Sequence, residues 1–128
     1  MLDHVSIPVS DLERAGAFYD AVLATIELRR CKQVPGGIGY GANPRAAPCF
    51  WILKRKDAHS AEPGVGLHLS FQAPTRASVA AFHAHALQAG GTDAGAPGLR
   101  PEYTAPFYGA FVRDLDGFKI EAVCRQPK

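Results

Sequence analysis

The sequence predicts an α+β fold in which two βαβββ modules form a curled mixed sheet around a cup-shaped site. The first observation is an internal repeat: "HVSI" at 4–7 falls on "HLSF" at 68–71, and "YGA" at 40–42 falls on "YGA" at 108–110. The second is that apolar and polar residues alternate in short segments, as in half-buried strands. The third is that each half carries one segment with helical spacing.

Length and composition are those of a small globular domain. The 128 residues suit one domain, and 47% apolar with 20% charged residues are ordinary for a folded protein. We expect this domain to span 1–128, with module one at about 1–60 and module two at about 64–126. The net charge of +2, without a basic run interleaved with aromatic residues, argues against nucleic acid as a partner.

In the first module, residues 3–9 alternate and predict a strand. Ser10-Asp11-Leu12-Glu13 has the spacing of a capping box, in which Ser10 and Glu13 would satisfy free backbone donors at a helix start. Three further strands are predicted, separated by "PGG" and "NPRAAP", at 26–33, 38–42 and 49–55.

The second module repeats this order. A strand is predicted at 66–72, and a helix begins after Pro74-Thr75 and ends at Gly90-Gly91. "DLDG" at 114–117 predicts the hairpin turn before the last strand. The remaining strands are expected at 92–95, 107–113 and 118–124, with a long irregular loop over 95–109.

Targeting and redox features are inconspicuous. No apolar run approaches the roughly 20 residues of a membrane span, and no secretory pattern is visible, so we expect a cytoplasmic protein without a membrane partner. The three cysteines form no CxxC pair, which disfavours a thiolate zinc site.

Strand alternation places three polar side chains on faces opposite the apolar ones: His4, His68 and Glu121. Imidazole and carboxylate suit zinc, iron, nickel, cobalt or manganese, and three protein ligands leave open positions for water and substrate. A hydrogen-bonded structural histidine or a solvated glutamate is the alternative interpretation of each residue. The repeat favours the metal site because it gives His4 and His68 equivalent positions.

Three segments resemble the vicinal oxygen chelate superfamily: "DHVSIPVSDLERAGAFYDAVL" at 3–23, "GLHLSF" at 66–71 and "DLDGFKIEAV" at 114–123. This superfamily includes glyoxalase I, extradiol dioxygenases, methylmalonyl-CoA epimerase, and the fosfomycin and bleomycin resistance proteins. The resemblance covers nearly the whole chain. It implies paired βαβββ modules around a metal or ligand, metal ligands at His4, His68 and Glu121, and a homodimer.

One departure from the resemblance bears on activity. Glyoxalase I has a fourth ligand, a glutamate near the end of its first module, and the repeat matches that position to Leu53. The loss of this carboxylate argues against strict lactoylglutathione lyase activity. Two histidines and one carboxylate resemble the facial triad of the dioxygenases.

Other candidate residues come from the first module's last strand and from the 95–109 segment. Trp51 and Leu53 would form an apolar wall of a substrate site. Long loops often carry function; within this one, Arg100 could hold a substrate carboxylate and Tyr103 could act as acid or base. The alternative is an ordered surface loop.

Two functions remain open. The first is a metal-dependent enzyme, a lyase, isomerase or dioxygenase, in which Glu121 and the histidines hold a divalent ion that binds neighbouring oxygens of a small substrate. The second is a metal-free binding protein, in which Trp51, Phe107 and Tyr108 hold a planar ligand by stacking.

Overall fold

The computed structural model describes residues 1–56 and 67–127. These residues contain two helices and eight strands in two four-stranded mixed sheets, which confirms the α+β fold. The elements are β1 (Val5–Val9), α1 (Leu12–Ala24), β2 (Arg29–Val34), β3 (Gly37–Gly41), β4 (Phe50–Lys54), β5 (Leu69–Gln72), α2 (Arg76–Gln88), β6 (Thr92–Leu99), β7 (Tyr108–Arg113) and β8 (Lys119–Cys124).

Both sheets have the same connectivity, as the internal repeat predicts. The first has the strand order β1-β4-β3-β2 and the second β5-β8-β7-β6. In each, the first strand of the module lies parallel to the last, and the other neighbours are antiparallel. The strands β1 and β5 therefore lie at sheet edges, and β1 carries Pro8, a residue without a backbone donor.

Each sheet buries one face against helices. Val5 pairs with Phe50 as Leu69 pairs with Ile120, so Phe50 and Ile52 in β4 correspond to Ile120 and Ala122 in β8, and all four are buried. The offset that the YGA match gives is therefore out of register with β4 and β8 by two residues.

From the helices, Phe18 and Phe82 are fully enclosed in the same core. The helices α1 and α2 also contact each other. Neither of these helices has the length and apolarity needed to span a membrane, within the residues that the structure describes.

The predicted start of α1 differs from the observed one. Asp11, not Ser10, is the N-cap, and its Oδ1 accepts a hydrogen bond from Arg14 N at 3.0 Å. The Ser10 amide instead donates to the Asp116 carboxylate at 3.2 Å. The start of α2 agrees with its prediction, since the Thr75 side chain accepts from Ser78 N at 3.0 Å.

The predicted loop over 95–109 was too long. β6 runs to Leu99, with irregular register between Asp93 and Gly98, so the irregular part spans only 100–107. The glycines and proline of "GAPGL" resemble a loop in sequence, but here they lie in a bulged edge strand, where such residues are tolerated.

A buried hydrogen bond joins the two modules. The Tyr19 hydroxyl on α1 donates to Asp114 Oδ2 at 2.6 Å, and both side chains are buried. The other oxygen, Oδ1, accepts from the amides of Asp116 at 3.0 Å and Phe118 at 2.8 Å, which closes the β7–β8 turn. Burial raises the pKa of Asp114, and these hydrogen bonds offset only part of that effect.

We expect Tyr19→Phe to lower the free energy of unfolding by about 1–3 kcal/mol, because a buried carboxylate oxygen loses its donor. Urea denaturation followed by circular dichroism measures the change. Tyr103→Phe, at a side chain that is 57% exposed, is the matched control and should stay within about 0.5 kcal/mol of the unmodified protein. Equal stability of the two variants would contradict a structural role for the inter-module bond.

Candidate functional site

The open face of the second sheet carries a buried acidic side chain, Glu121. Ile120 and Ala122 in β8 are fully buried on the helix side, so Glu121 points to the opposite side of the sheet. Its neighbours in the sheet are Ser70 on β5 and Phe111 on β7. Glu121 therefore lies at the centre of the sheet rather than at its rim.

The Glu121 carboxyl is buried, with a relative exposure of 3%. Its Oε1 lies 3.2 Å from Nε2 of His68, whereas Oε2 is buried without a hydrogen-bond partner. A buried carboxylate oxygen without a partner is costly in a folded protein and calls for an explanation. A Cβ added at Gly109 would lie 3.2 Å from Oε2 and 2.9 Å from the Phe107 ring, so the glycine allows both side chains to approach the sheet closely.

The pair of donor atoms has a spacing that suits one metal ion. Ligand atoms about 2.0–2.2 Å from a divalent ion lie about 2.8–3.6 Å from each other in octahedral (adjacent positions) or tetrahedral arrangements. The 3.2 Å between His68 Nε2 and Glu121 Oε1 falls in this interval. The His68 ring also contacts the Phe111 ring edge-on, with 5.7 Å between centroids, which helps to orient the imidazole.

His4 lies apart from this pair. It is exposed, and its Nδ1 lies 2.6 Å from Oδ1 of Asp3. His4 and His68 line the same cleft of about 350 Å³ between the modules, but no three His, Cys, Asp or Glu side chains within 1–56 and 67–127 are placed to hold a metal. One chain thus brings together two of the three predicted ligands.

Trp51 and Leu53 lie on the open face of the first sheet. Their placement depends on glycines in β3: a Cβ at Gly39 would approach the Trp51 ring to 3.0 Å, and one at Gly37 would approach the Leu53 side chain to 2.9 Å. Both side chains are half-buried. The structure therefore forms an apolar surface from these two predicted residues.

The predicted residues of the 95–109 segment separate into two groups. Phe107 is buried and contacts the exposed Tyr103 ring edge-on at 5.0 Å, while Arg100 lies over the Phe111 ring at 5.8 Å. Tyr108 belongs to the other group: it packs against the helix-side core, and the Arg76 guanidinium lies over its ring at 5.2 Å. The structure does not bring Tyr108 to the face that carries Glu121.

Two residues near Glu121 were not among the sequence-based candidates. Phe111 is buried beside His68, and the Lys119 ammonium lies 4.8 Å from the centroid of its ring. Strand alternation could have indicated both, because Lys119 and Glu121 are two apart on β8 and Phe111 is the cross-strand neighbour of Glu121.

Comparison with known proteins identifies the family and the fold of the chain. The sequence profile of the Glyoxalase/Bleomycin resistance protein/Dioxygenase superfamily matches residues 1–122. A search of curated proteins finds no significant match. Among solved structures, the chain is similar to a glyoxalase/bleomycin resistance protein from Albidiferax ferrireducens T118, with 32% identity, 97% of this chain and 98% of that chain covered, and a TM-score of 0.80.

More distant structures share the fold. A glyoxalase I variant from Zea mays has 22% identity and a TM-score of 0.70, with 95% of this chain and 45% of that chain covered. A fosfomycin resistance protein from Mesorhizobium loti has 15% identity and a TM-score of 0.68, with 97% and 91% covered. At these identities the likeness concerns the fold alone.

We expect Gly39→Ala to displace Trp51, the only tryptophan of the chain, because the added Cβ would lie 2.7 Å from Pro48 Cγ and 3.0 Å from the indole. Such crowding costs about 1–3 kcal/mol, and the fluorescence emission of Trp51 should shift. The control is Gly98→Ala, whose Cβ would meet the flexible end of Arg100 at 3.1 Å. An unchanged emission spectrum in Gly39→Ala would show that the glycine does not position the indole.

Proposed function

The chain belongs to the glyoxalase/bleomycin resistance protein/dioxygenase superfamily, and from this membership we propose that it is a metal-dependent enzyme acting on a small substrate with vicinal oxygens. The observation that carries the proposal is the buried Glu121 carboxylate, whose Oε2 has no partner and whose Oε1 lies 3.2 Å from His68 Nε2. This donor pair is costly as a purely structural element and suits a divalent cation.

His68 and Glu121 would hold the ion, and His4 of a second copy of the chain would complete the set. Two features support this arrangement, both within residues 1–56 and 67–127. One chain offers no third ligand, and the β1 and β5 edges next to the histidines have no neighbouring strand there. A bound divalent ion supplies Lewis acidity toward adjacent substrate oxygens. Imidazole and carboxylate ligands would suit zinc, iron, nickel, cobalt or manganese.

The side chains of this protein would have separate roles around the substrate. Trp51 and Leu53 would exclude water, because both present apolar surface on an open sheet face. Phe107, buried under Tyr103, would support the far end of the site, and Tyr103, which is 57% exposed, would move a proton at its hydroxyl. We leave Tyr108 out of the proposed site because its ring lies on the helix side.

Leu53 also bears on the reaction class. The sequence repeat matches Leu53 to the fourth-ligand position, but the sheets pair Trp51 with Ser6 as they pair Glu121 with Ser70. The structural counterpart of Glu121 is therefore Trp51, and neither Trp51 nor Leu53 supplies a carboxylate. Proton transfer would then fall to another group, which makes strict lactoylglutathione lyase activity the less favoured reaction. The homodimer and the cytoplasmic location remain predictions.

A metal-free binding protein of the same fold is the second candidate. The apolar surface of Trp51 and Leu53 favours it, since a planar ligand could stack there without a metal. This candidate leaves the unpartnered Oε2 of Glu121 without a purpose, and we rank it second for that reason.

We expect the full chain, freed of metal and titrated with Ni²⁺ or Zn²⁺ in a calorimeter, to bind one ion per chain. His68→Ala and Glu121→Gln should each weaken binding at least about a hundredfold, because each removes one of three ligands. His83→Ala is the control: His83 also faces a carboxylate, Asp93, at 2.8 Å, but lies on α2. The metal-free candidate would be favoured if no tested ion binds, or if both variants bind the ion with the affinity of the unmodified protein.

We expect variants with complementary defects to restore metal sites when mixed, if His4 and the His68–Glu121 pair come from different subunits. His4→Ala and Glu121→Gln should each lack high-affinity sites alone. After unfolding and refolding together, random pairing should give about a quarter of the normal number, because only the mixed dimer contains one intact site of two. If sedimentation shows that the refolded mixture is dimeric and no metal sites are recovered, all three ligands belong to one chain.

A further inference from the structure

Two cationic side chains flank one aromatic ring on the open face of the second sheet. The Lys119 ammonium lies 4.8 Å from the centroid of the Phe111 ring, and the Arg100 guanidinium carbon lies 5.8 Å from it. Lys119 comes from β8 and Arg100 follows β6, so the cations approach Phe111 from the two neighbouring strands. We call these three residues the Phe111 cation cluster.

Neither cation of the cluster is neutralised by a carboxylate within residues 1–56 and 67–127. The ion pairs of this part of the chain involve Arg30 and three histidines instead. The Arg100 guanidinium donates to Ala96 O at 2.8 Å and to Leu99 O at 3.4 Å, which holds it in place and leaves other N–H groups available. Positive charge is therefore fixed at this point of the sheet without an internal counterion.

The Phe111 cation cluster borders the proposed metal pair directly. Phe111 is the cross-strand partner of Glu121, and its ring contacts His68 at 5.7 Å between centroids. Lys119 precedes Glu121 by two residues and shares its face. Gly95 lets the cluster pack closely on β6, since a Cβ there would lie 3.0 Å from the Phe111 ring and 3.4 Å from Arg100 Nη2.

We propose that the Phe111 cation cluster is an oxyanion subsite, so that the substrate carries a carboxylate or phosphonate group beside the oxygens presented to His68 and Glu121. This inference rests on the proposed function, because it assigns the substrate class of the same site. Guanidinium and ammonium groups both form charge-assisted hydrogen bonds with such oxygens. Neutral molecules of the same shape would bind more weakly, since they cannot form charge-assisted hydrogen bonds with the two cations.

The cluster also explains why the anionic group binds beside Glu121 despite its charge. Lys119 and Arg100 outnumber the single carboxylate on this part of the face, and His68 faces Glu121 Oε1 at 3.2 Å. The attraction is short-ranged and falls with added salt. Discrimination between an anion and its neutral counterpart therefore depends on these two side chains rather than on the weak net charge of +2 of the whole chain.

The test uses the full chain kept metal-free with a chelator, so that binding to an ion does not contribute. Phenylphosphonate, benzoate and the neutral benzamide are titrated while amide signals of Gly109 and Phe111 are followed by NMR. We expect saturable binding of at least one anion, with benzamide at least about tenfold weaker. The anion that binds with the higher affinity, phenylphosphonate or benzoate, identifies which oxyanion the subsite prefers.

Lys119→Gln and Arg100→Gln should each weaken anion binding about five- to tenfold, as expected for loss of one charge-assisted contact. Lys119→Arg should retain binding, which separates lost charge from altered folding. The matched control is Arg125→Gln, because Arg125 lies over a different ring, Phe107, at 5.0 Å. Its anion affinity should equal that of the unmodified protein.

Three outcomes would overturn the subsite: equal affinity for benzamide and both anions, unchanged affinity in both Gln variants of the cluster, or an equal loss in Arg125→Gln. Failure of the proposed function gives a different pattern. In that case the metal titration shows no specific ion, while selective anion binding to the metal-free chain persists.

Discussion

The hydrogen bond between Tyr19 and Asp114 is the constraint on which the candidate site depends. Asp114 Oδ2 ties the second module to α1, while Oδ1 accepts two amides and fixes the turn that begins β8. The register of β8 against β7 then places Glu121 opposite Phe111. One buried carboxyl, whose pKa is raised by burial, thus influences both the packing of the modules and the position of the other buried carboxyl.

Sequence reasoning predicted most of the fold because its strongest observation, the repeat, reports on architecture directly. Aromatic character suggested a ligand contact for Tyr108, but the ring packs against the helix-side core. Alternation gives the face of a strand but not the distance between strands, which is why the face of His4 was predictable and its separation from Glu121 was not. The extension of β6 was missed because glycine and proline are typical of loops.

The two modules share a backbone plan but present unlike open faces. Glycines at alternate positions of β3 let Trp51 and Leu53 lie flat, which makes the first face apolar. The second face carries Glu121, Lys119 and the Phe111 ring at its centre. A substrate held between such faces would meet charge on one side and hydrocarbon on the other, an arrangement that orients a small polar molecule without many specific contacts.

The proline in β1 has a consequence for how the chain avoids unwanted self-association. An edge strand with a full row of free donors and acceptors can template the growth of sheets from further copies. Pro8 removes one backbone donor in the middle of this edge, so a strand from another chain could not form an uninterrupted hydrogen-bond ladder along it. The short edge that remains is compatible with a defined, finite contact and unfavourable for fibre-like polymerisation.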